Sequence, residues 1–214
     1  MFRSELLKLK NSISLYLILF FTILEISTIP AYLHYINTEI SMTNLSIVTM
    51  LIYPILVAML TIMSFEQEIS ANNFQEIKAN KKGKRIILVK FFVIDFLLFF
   101  PTAFIWLVTG LIQGSMHLGL AIASASWLLA IFQNHLHGMM NFIIGKGENI
   151  LLSIIEILFI IFASNKVLIG SYWCPVALPI NLILTGDVTY VMIVLFWIII
   201  CTIILYVLLN KKKY

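Results

Sequence analysis

Residues 65–90, FEQEISANNFQEIKANKKGKRIILVK, form the only long polar interval in a chain that is otherwise one apolar run after another. The interval contains three glutamates and six basic residues, so it cannot cross a bilayer and must lie in water on one side. Short loops rich in Lys and Arg stay on the cytoplasmic side of a membrane. This stretch therefore predicts a cytoplasmic loop, and it fixes the orientation of the helices on either side.

The composition around this loop is that of an integral membrane protein. Of the 214 residues 61% are hydrophobic and 11% are charged, and the mean hydropathy is +1.03. No stretch between the apolar runs is long enough to bury a core of its own, so residues 1–214 are expected to form a single transmembrane domain. The net charge of +4 is carried by short loops beside apolar runs. Charges placed in this way set the orientation of the helices in the membrane and do not indicate a nucleic-acid partner.

The apolar runs predict an all-α membrane protein with six transmembrane helices, at about 20 residues per span. The predicted spans are 13–34, 46–65, 86–112, 117–143, 149–169 and 188–210. Nearly all Lys and Arg residues fall in 1–11, 66–85, 144–148 and 211–213. Both termini are therefore expected in the cytoplasm of a cell whose plasma membrane holds the protein.

Within the polar loop, Asn73 followed three residues later by Glu76 is typical of a helix N-terminus with a capping box. The pattern predicts a short helix from Phe74 to about Ala79. Phe74 and Ile77 are three residues apart and share one face of that helix. This apolar pair either docks on a partner protein or lies on the membrane surface, and the residues alone leave both interpretations open.

The segment that follows the second helix contains E-x-E, at Glu66 and Glu68, and then N-F-Q-E, at residues 73–76. In this segment the sequence resembles the permease subunits of ABC-2-type transporters. The sequence is most similar to the small permeases of lantibiotic self-protection systems, the LanE and LanG type. The resemblance implies a cytoplasmic coupling helix between helices 2 and 3 that docks in a cleft of a separate ATP-binding subunit. The residues that match the family's ATPase-coupling segment are Asn73, Phe74, Gln75, Glu76 and Ile77, with Glu66 and Glu68 before them.

Two further segments have the composition of membrane-associated structure. Residues 1–11 alternate apolar and basic side chains, which predicts a short interfacial helix, although ordinary flanking charge explains the pattern equally simply. The interval before the last helix contains Pro175 and Pro179 in an apolar stretch too short to cross, which predicts a re-entrant segment. Both features agree with the resemblance.

Three carboxylates, Glu25, Asp95 and Glu156, lie inside predicted spans, where an ionisable group is a functional hypothesis by default. They either line a polar translocation path for a cationic peptide or make hydrogen bonds between helices. His135 and His137 point about 200° apart on one helix, so they cannot share a metal ion, and no metal site is expected. With Asn134, Gly138 and Asn141 they predict a small and polar packing face.

The chain has no G-x-x-x-x-G-K-[ST] loop, so no cofactor is expected in it, and ATP with Mg²⁺ would belong to a partner chain. We expect a permease and not an enzyme. The partners implied are an ATP-binding cassette subunit, a second permease subunit that is identical or related, membrane lipid and a cationic peptide substrate. By resemblance the peptide is a lantibiotic, expelled from the membrane. The alternatives are a small intramembrane enzyme and a passive peptide-binding immunity protein.

Overall fold

The computed structural model describes residues 2–10, 12–35, 41–72 and 83–211, and within these ranges the protein is entirely helical. The elements in chain order are α1 (Phe2–Leu9), α2 (Ile13–Tyr35), α3 (Met42–Met50), α4 (Tyr53–Asn72), α5 (Gly83–Phe99), a π-helical turn (Phe100–Phe104), α6 (Ile105–Ile112), α7 (Met116–Ile143), α8 (Lys146–Ser164), α9 (Leu178–Thr185) and α10 (Thr189–Lys211).

Six helical segments in the described part are long and apolar enough to cross a membrane. They cover Ile13–Tyr35, Met42–Ser70, Arg85–Ile112, Met116–Ile143, Lys146–Ser164 and Thr189–Leu209. The prediction of an all-helical chain with six spans is confirmed, and these helices indicate a multi-pass membrane protein.

Helix α7 is the centre of the bundle. It packs against α4, α5, α6, α9 and α10, and its buried residues include small and polar ones such as Gly119, Ser126, Gln133 and His137. Small residues let neighbouring backbones approach closely, while polar ones hydrogen-bond between helices in a medium without water. The composition of α7 therefore suits a helix that is surrounded by other helices.

The second span begins earlier than its apolar run predicted and is interrupted. Ser41 caps α3 by accepting a hydrogen bond from the backbone of Asn44 at 3.2 Å. A tight turn at Leu51 and Ile52 then separates α3 from α4. Pro54 has no backbone N–H to donate, so it suits the first turn of α4.

The third span contains a local change of helix type where the sequence places a proline. Pro101 lies in the π-helical turn Phe100–Phe104, between α5 and α6. A proline predicts an interruption because it removes one backbone donor and its ring crowds the preceding turn. The wider π turn is the form that the interruption takes in this chain.

The fifth span ends five residues earlier than predicted, at Ser164. At the helix end the carbonyl of Ile161 accepts from both the backbone N–H of Asn165, at 3.2 Å, and its side-chain amide, at 2.9 Å. Lys166 then adopts a positive φ of 63°, which a continuing helix excludes.

Helices α6 and α7 form a tight hairpin through two glycines. A Cβ atom built on Gly119 would lie 2.8 Å from the carbonyl oxygen of Trp106 and 2.9 Å from the Cα of Gly110. Only glycine allows the two backbones to come this close.

Candidate functional site

The end of the bundle that adjoins the polar loop carries a cluster of four charged side chains, which we call the charged cluster. Its members are Glu5 and Lys8 on α1, Glu68 on α4 and Lys90 on α5. The Lys90 ammonium donates to Glu68 Oε1 at 2.9 Å and to the backbone carbonyl of Ser64 at 2.7 Å. The Lys8 ammonium lies 3.1 Å from Glu5 Oε1 and 3.8 Å from Glu68 Oε1.

The charged cluster is mostly buried. Glu5 is 3% exposed, and Glu68 and Lys90 are 7% exposed. Burying a charged side chain is costly unless it is paired with an opposite charge. The cluster contains two acids and two bases, so each buried charge has a partner of opposite sign. The cluster fixes α1 and α5 onto the end of α4.

Two further contacts extend this anchoring. The Gln67 amide donates to the backbone carbonyl of Lys8 at 3.2 Å, a second link between α4 and α1. Glu66 forms an ion pair with Lys146 at the start of α8, and both of these side chains are about half exposed. The last turns of α4 are thereby attached to α1, α5 and α8.

A small recess opens between α4 and α5 beside the charged cluster. Glu68 and Lys90 form its polar wall, and Phe65, Phe91 and Ile94 line its apolar part. The recess and the cluster flank the described ends of the polar loop.

The central residues of the predicted coupling segment, Asn73, Phe74, Gln75, Glu76 and Ile77, lie outside the described residues. Glu66 and Glu68, which precede them, belong to the last turns of α4. The structure therefore shows how the flanks of this segment are held.

Glu25 lies on the buried face of α2. It is 4% exposed, and its Oε2 atom has no hydrogen-bond partner. Nearby, the hydroxyl of Tyr53 faces the side chains of Thr49, Trp106 and Ser126, yet none of them meets it with hydrogen-bond geometry. Glu25 Oε2 and the Tyr53 hydroxyl are thus two buried polar atoms without a hydrogen-bond partner.

Helical spacing aligns Thr22, Glu25 and Thr28 in the first span and Asp95, Thr102, Thr109 and Gln113 in the third, which predicts that both stripes face protein or water. Within this chain the two stripes are only partly buried. Thr28 is exposed, and its hydroxyl donates to the carbonyl of Leu24 in its own helix at 2.7 Å. The buried stripe of α2 consists of Ser14, Ile18, Glu25 and Ile29. In the third span Asp95, Thr102 and Thr109 are buried as predicted, whereas Gln113 is exposed.

Asp95 forms a hydrogen-bonded network with α7 and α10. Its Oδ1 accepts from the Asn134 amide at 2.7 Å, and its Oδ2 lies 3.0 Å from His135 Nε2. The other ring nitrogen of His135, Nδ1, lies 2.8 Å from the hydroxyl of Thr202. This geometry is a set of contacts between helices, and all of its described members are buried or nearly so.

Glu156 belongs to a second network on the opposite side of α7. Its Oε1 lies 3.4 Å from His137 Nε2, and His137 Nδ1 lies 2.8 Å from the Asn149 side-chain oxygen. Cys174 lies in the segment between α8 and α9, and burial raises the pKa of its thiol. Cys174 and Cys201 are both buried free thiols.

The sequence singled out all three carboxylates and both histidines but did not pair them. His135 and His137 do point to opposite sides of α7, and each meets a different carboxylate. The buried ion pair between Glu68 and Lys90 was missed as well. A sequence signal for it exists, since a basic residue inside the third apolar run needs a partner.

Within the described part of the chain, no group of three or more His, Cys, Asp or Glu side chains could hold a metal ion. Comparison of the chain with known protein families, curated proteins and solved structures gives no match.

Proposed function

We propose that this chain is the membrane-spanning permease subunit of an ABC transporter, which expels a cationic antimicrobial peptide from the membrane. The resemblance in residues 66–76 and the six spans support this function. The observation that carries the proposal is the anchoring of the α4 end. Glu68 contacts Lys90 and Lys8, and Glu66 contacts Lys146.

This anchoring suits a helix bundle that is driven from outside the membrane. A displacement applied to the loop between α4 and α5 would pull on both helices, because Lys90 joins them just inside the loop. The contacts of Lys8 and Lys146 would carry the same displacement to α1 and α8. A bundle driven by ATP hydrolysis in another chain needs a rigid connection of this kind.

In this proposal the charged cluster faces the cytoplasm, and so do both termini. Helix α1 is the interfacial helix, supported by its contacts through Lys8 and by its exposed Phe2 and Leu7. The segment before α10 is re-entrant. Its support is that Cys174, Val176 and Ala177 are buried, and that the short helix α9 after them packs against α7 and α8.

This function requires an ATP-binding site and a complete transmembrane unit, which partner chains would supply. An ATP-binding cassette subunit supplies ATP and Mg²⁺, and its cleft receives the segment 73–77. A second permease subunit, identical or related, completes the transmembrane unit. Glu25 offers a negative or hydrogen-bonding group to the cationic peptide, and Asp95 and Glu156 hold helices together.

The proposal is tested by co-purification of the ATPase from cells that express the whole transport system. The double variant Phe74→Asp/Ile77→Asp should lose the ATPase and lose protection against the peptide, while it still inserts into the membrane. The matched control is Val167→Asp/Val188→Asp, which places the same charges at two exposed apolar positions away from the loop. Normal ATPase binding and full protection in the first variant would refute the docking role. An ATPase that never co-purifies with the unmodified chain would favour a passive peptide-binding protein instead.

A further inference from the structure

The side chain of His137 is completely buried between two side chains of α8, a hydrogen-bonded Asn149 and a carboxyl, that of Glu156, whose two oxygens, like His137 Nε2, have no hydrogen-bond partner. His137 Nδ1 lies 2.8 Å from Asn149 Oδ1, and its Nε2 lies 3.4 Å from Glu156 Oε1. His137 and Asn149 are 0% exposed, and Glu156 is 2% exposed. Water therefore does not satisfy these atoms, and the hydrogens that they share can be assigned from their partners.

The orientation of the Asn149 amide is fixed by its own contacts. Its Nδ2 donates to the backbone carbonyl of His137 at 3.2 Å and to Asn141 Oδ1 at 2.8 Å. A flipped amide would place an oxygen against the carbonyl oxygen of His137, so the flipped arrangement is excluded. The remaining atom, Asn149 Oδ1, can only accept, and His137 Nδ1 must carry a hydrogen and donate it.

This assignment determines what stands between His137 and Glu156. A neutral imidazole with a hydrogen on Nδ1 has a bare, accepting Nε2. A bare Nε2 beside an ionised carboxylate would bring two acceptors together in a buried place with no hydrogen between them, which is unfavourable. One additional proton removes the conflict, either as imidazolium beside carboxylate or as imidazole beside carboxylic acid. The pair has zero net charge in both forms.

The pair of His135 on α7 and Asp95 on α5 does not require an additional proton. His135 Nδ1 meets the hydroxyl of Thr202, which accepts from the ring while it donates to the carbonyl of Ile198 at 2.7 Å, or donates to the ring if it rotates away from that carbonyl. When the hydroxyl donates to the ring, a neutral His135 can donate from Nε2 to an ionised Asp95. The amide oxygen of Asn149, unlike the hydroxyl of Thr202, has no hydrogen that it could donate to the ring. The additional proton is therefore required at His137 and not at His135.

We propose that His137 and Glu156 form a proton-binding site inside the membrane-spanning bundle, with one proton held between α7 and α8. Among the described residues, the side chains that hydrogen-bond to the pair or to its partner are Asn149 and Asn141, and the charge of an ionised Glu156 acts on the buried thiols of Cys174 and Cys201. None of these is a basic group that could neutralise an ionised Glu156. The site does not depend on the transport function proposed above, and a permease or a passive binding protein could equally contain it.

The first test is magnetic resonance of the whole protein in detergent, with ¹⁵N in histidine and ¹³C in the glutamate carboxyl groups. His137→Gln and Glu156→Gln assign the two signals, and the exposed His34 and His117 supply reference imidazoles. The spectra are recorded at about pH 8, where a free imidazole and a free carboxyl have both lost their protons. We expect a hydrogen on His137 Nδ1, together with either a hydrogen on Nε2 or a protonated Glu156. A bare Nδ1, or a neutral ring beside an ionised Glu156, would overturn the proposal.

The second test counts the proton by linkage. If the native pair holds one proton that the unfolded chain lacks at about pH 8, stability falls as the pH rises. The unfolding equilibrium constant should then increase about tenfold per pH unit more steeply in the unmodified protein than in Glu156→Gln. Glu148→Gln makes the same change at an exposed position of α8 and should keep the steep dependence. Equal slopes for the unmodified protein and Glu156→Gln would show that no proton is held there.

Discussion

The ammonium of Lys90 lies 2.9 Å from Glu68 Oε1, and both residues are 7% exposed, so α4 and α5 are joined by a buried ion pair just before their described ends. The second donor contact of Lys90, to the carbonyl of Ser64 at 2.7 Å, fixes the ammonium in place. This pair is the first point at which the structure can be tested.

Lys90→Met should destabilise the protein by about 3 kcal/mol, because it leaves Glu68 buried with only Lys8 near it. The measurement is thermal unfolding in detergent. Glu66→Gln serves as the control, since it removes the half-exposed pair with Lys146, which contributes at most about 1 kcal/mol. Similar losses of stability in the two variants would mean that the burial of the Lys90 pair has no energetic effect.

Glu25→Leu should leave the melting temperature in detergent unchanged or raise it, because it removes a buried carboxyl oxygen that has no partner. The same variant should lower peptide tolerance if Glu25 contacts the cationic substrate. Glu25→Gln keeps the shape without the charge, and we expect it to lower tolerance as well. A loss of stability in Glu25→Leu with normal tolerance in Glu25→Gln would assign the residue to packing alone.

Trp173→Cys should react with a membrane-impermeant thiol reagent added outside intact cells, in a chain where Cys174 and Cys201 are replaced by alanine. Trp173 is 65% exposed, and the orientation proposed above, with the basic loops in the cytoplasm, puts its segment outside. Ile180→Cys, at a position that is 0% exposed, is the control and should remain unlabelled. Labelling of Trp173→Cys only after the cells are permeabilised would invert the orientation proposed here.

Gly119→Ala should destabilise the bundle by about 1–3 kcal/mol, because the new Cβ would meet the backbone at Trp106 and Gly110. Gly147→Ala is the matched control, since a Cβ at that position meets no atom within 4 Å. In the first turn of α8 alanine should be neutral or stabilising by up to about 1 kcal/mol. Thermal unfolding of both variants under the same conditions measures the difference.

The six spans could be predicted because each is a long apolar run, and the run length needed to cross a bilayer is a property of the helix itself. Their limits were less accurate where side chains decide them. Ser41 starts the second span earlier than its hydropathy suggests, and the fifth span ends where Lys166 adopts a positive φ.

The pairings could not be predicted, because they join residues that are far apart in the chain. Lys90 and Glu68 are 22 residues apart, and Asp95 and His135 are 40 residues apart. Helical spacing indicates which side chains share a face, but not which helix lies opposite that face. A hydroxyl can also be satisfied within its own helix, as those of Thr28, Thr102 and Thr109 are, so its polarity does not require a neighbour.

The π-helical turn at Phe100–Phe104 determines which neighbours the third span can address. A π turn holds one residue more than an α turn, so it is equivalent to a single-residue insertion into a regular helix. Everything after it is rotated by about 100° relative to an uninterrupted helix. Deleting one residue within the turn should therefore yield a plain α-helix, in which Asp95 and Trp106 keep the directions they have now. A deletion between Asp95 and Trp106 but outside the turn would instead rotate the two side chains relative to each other by about 100°.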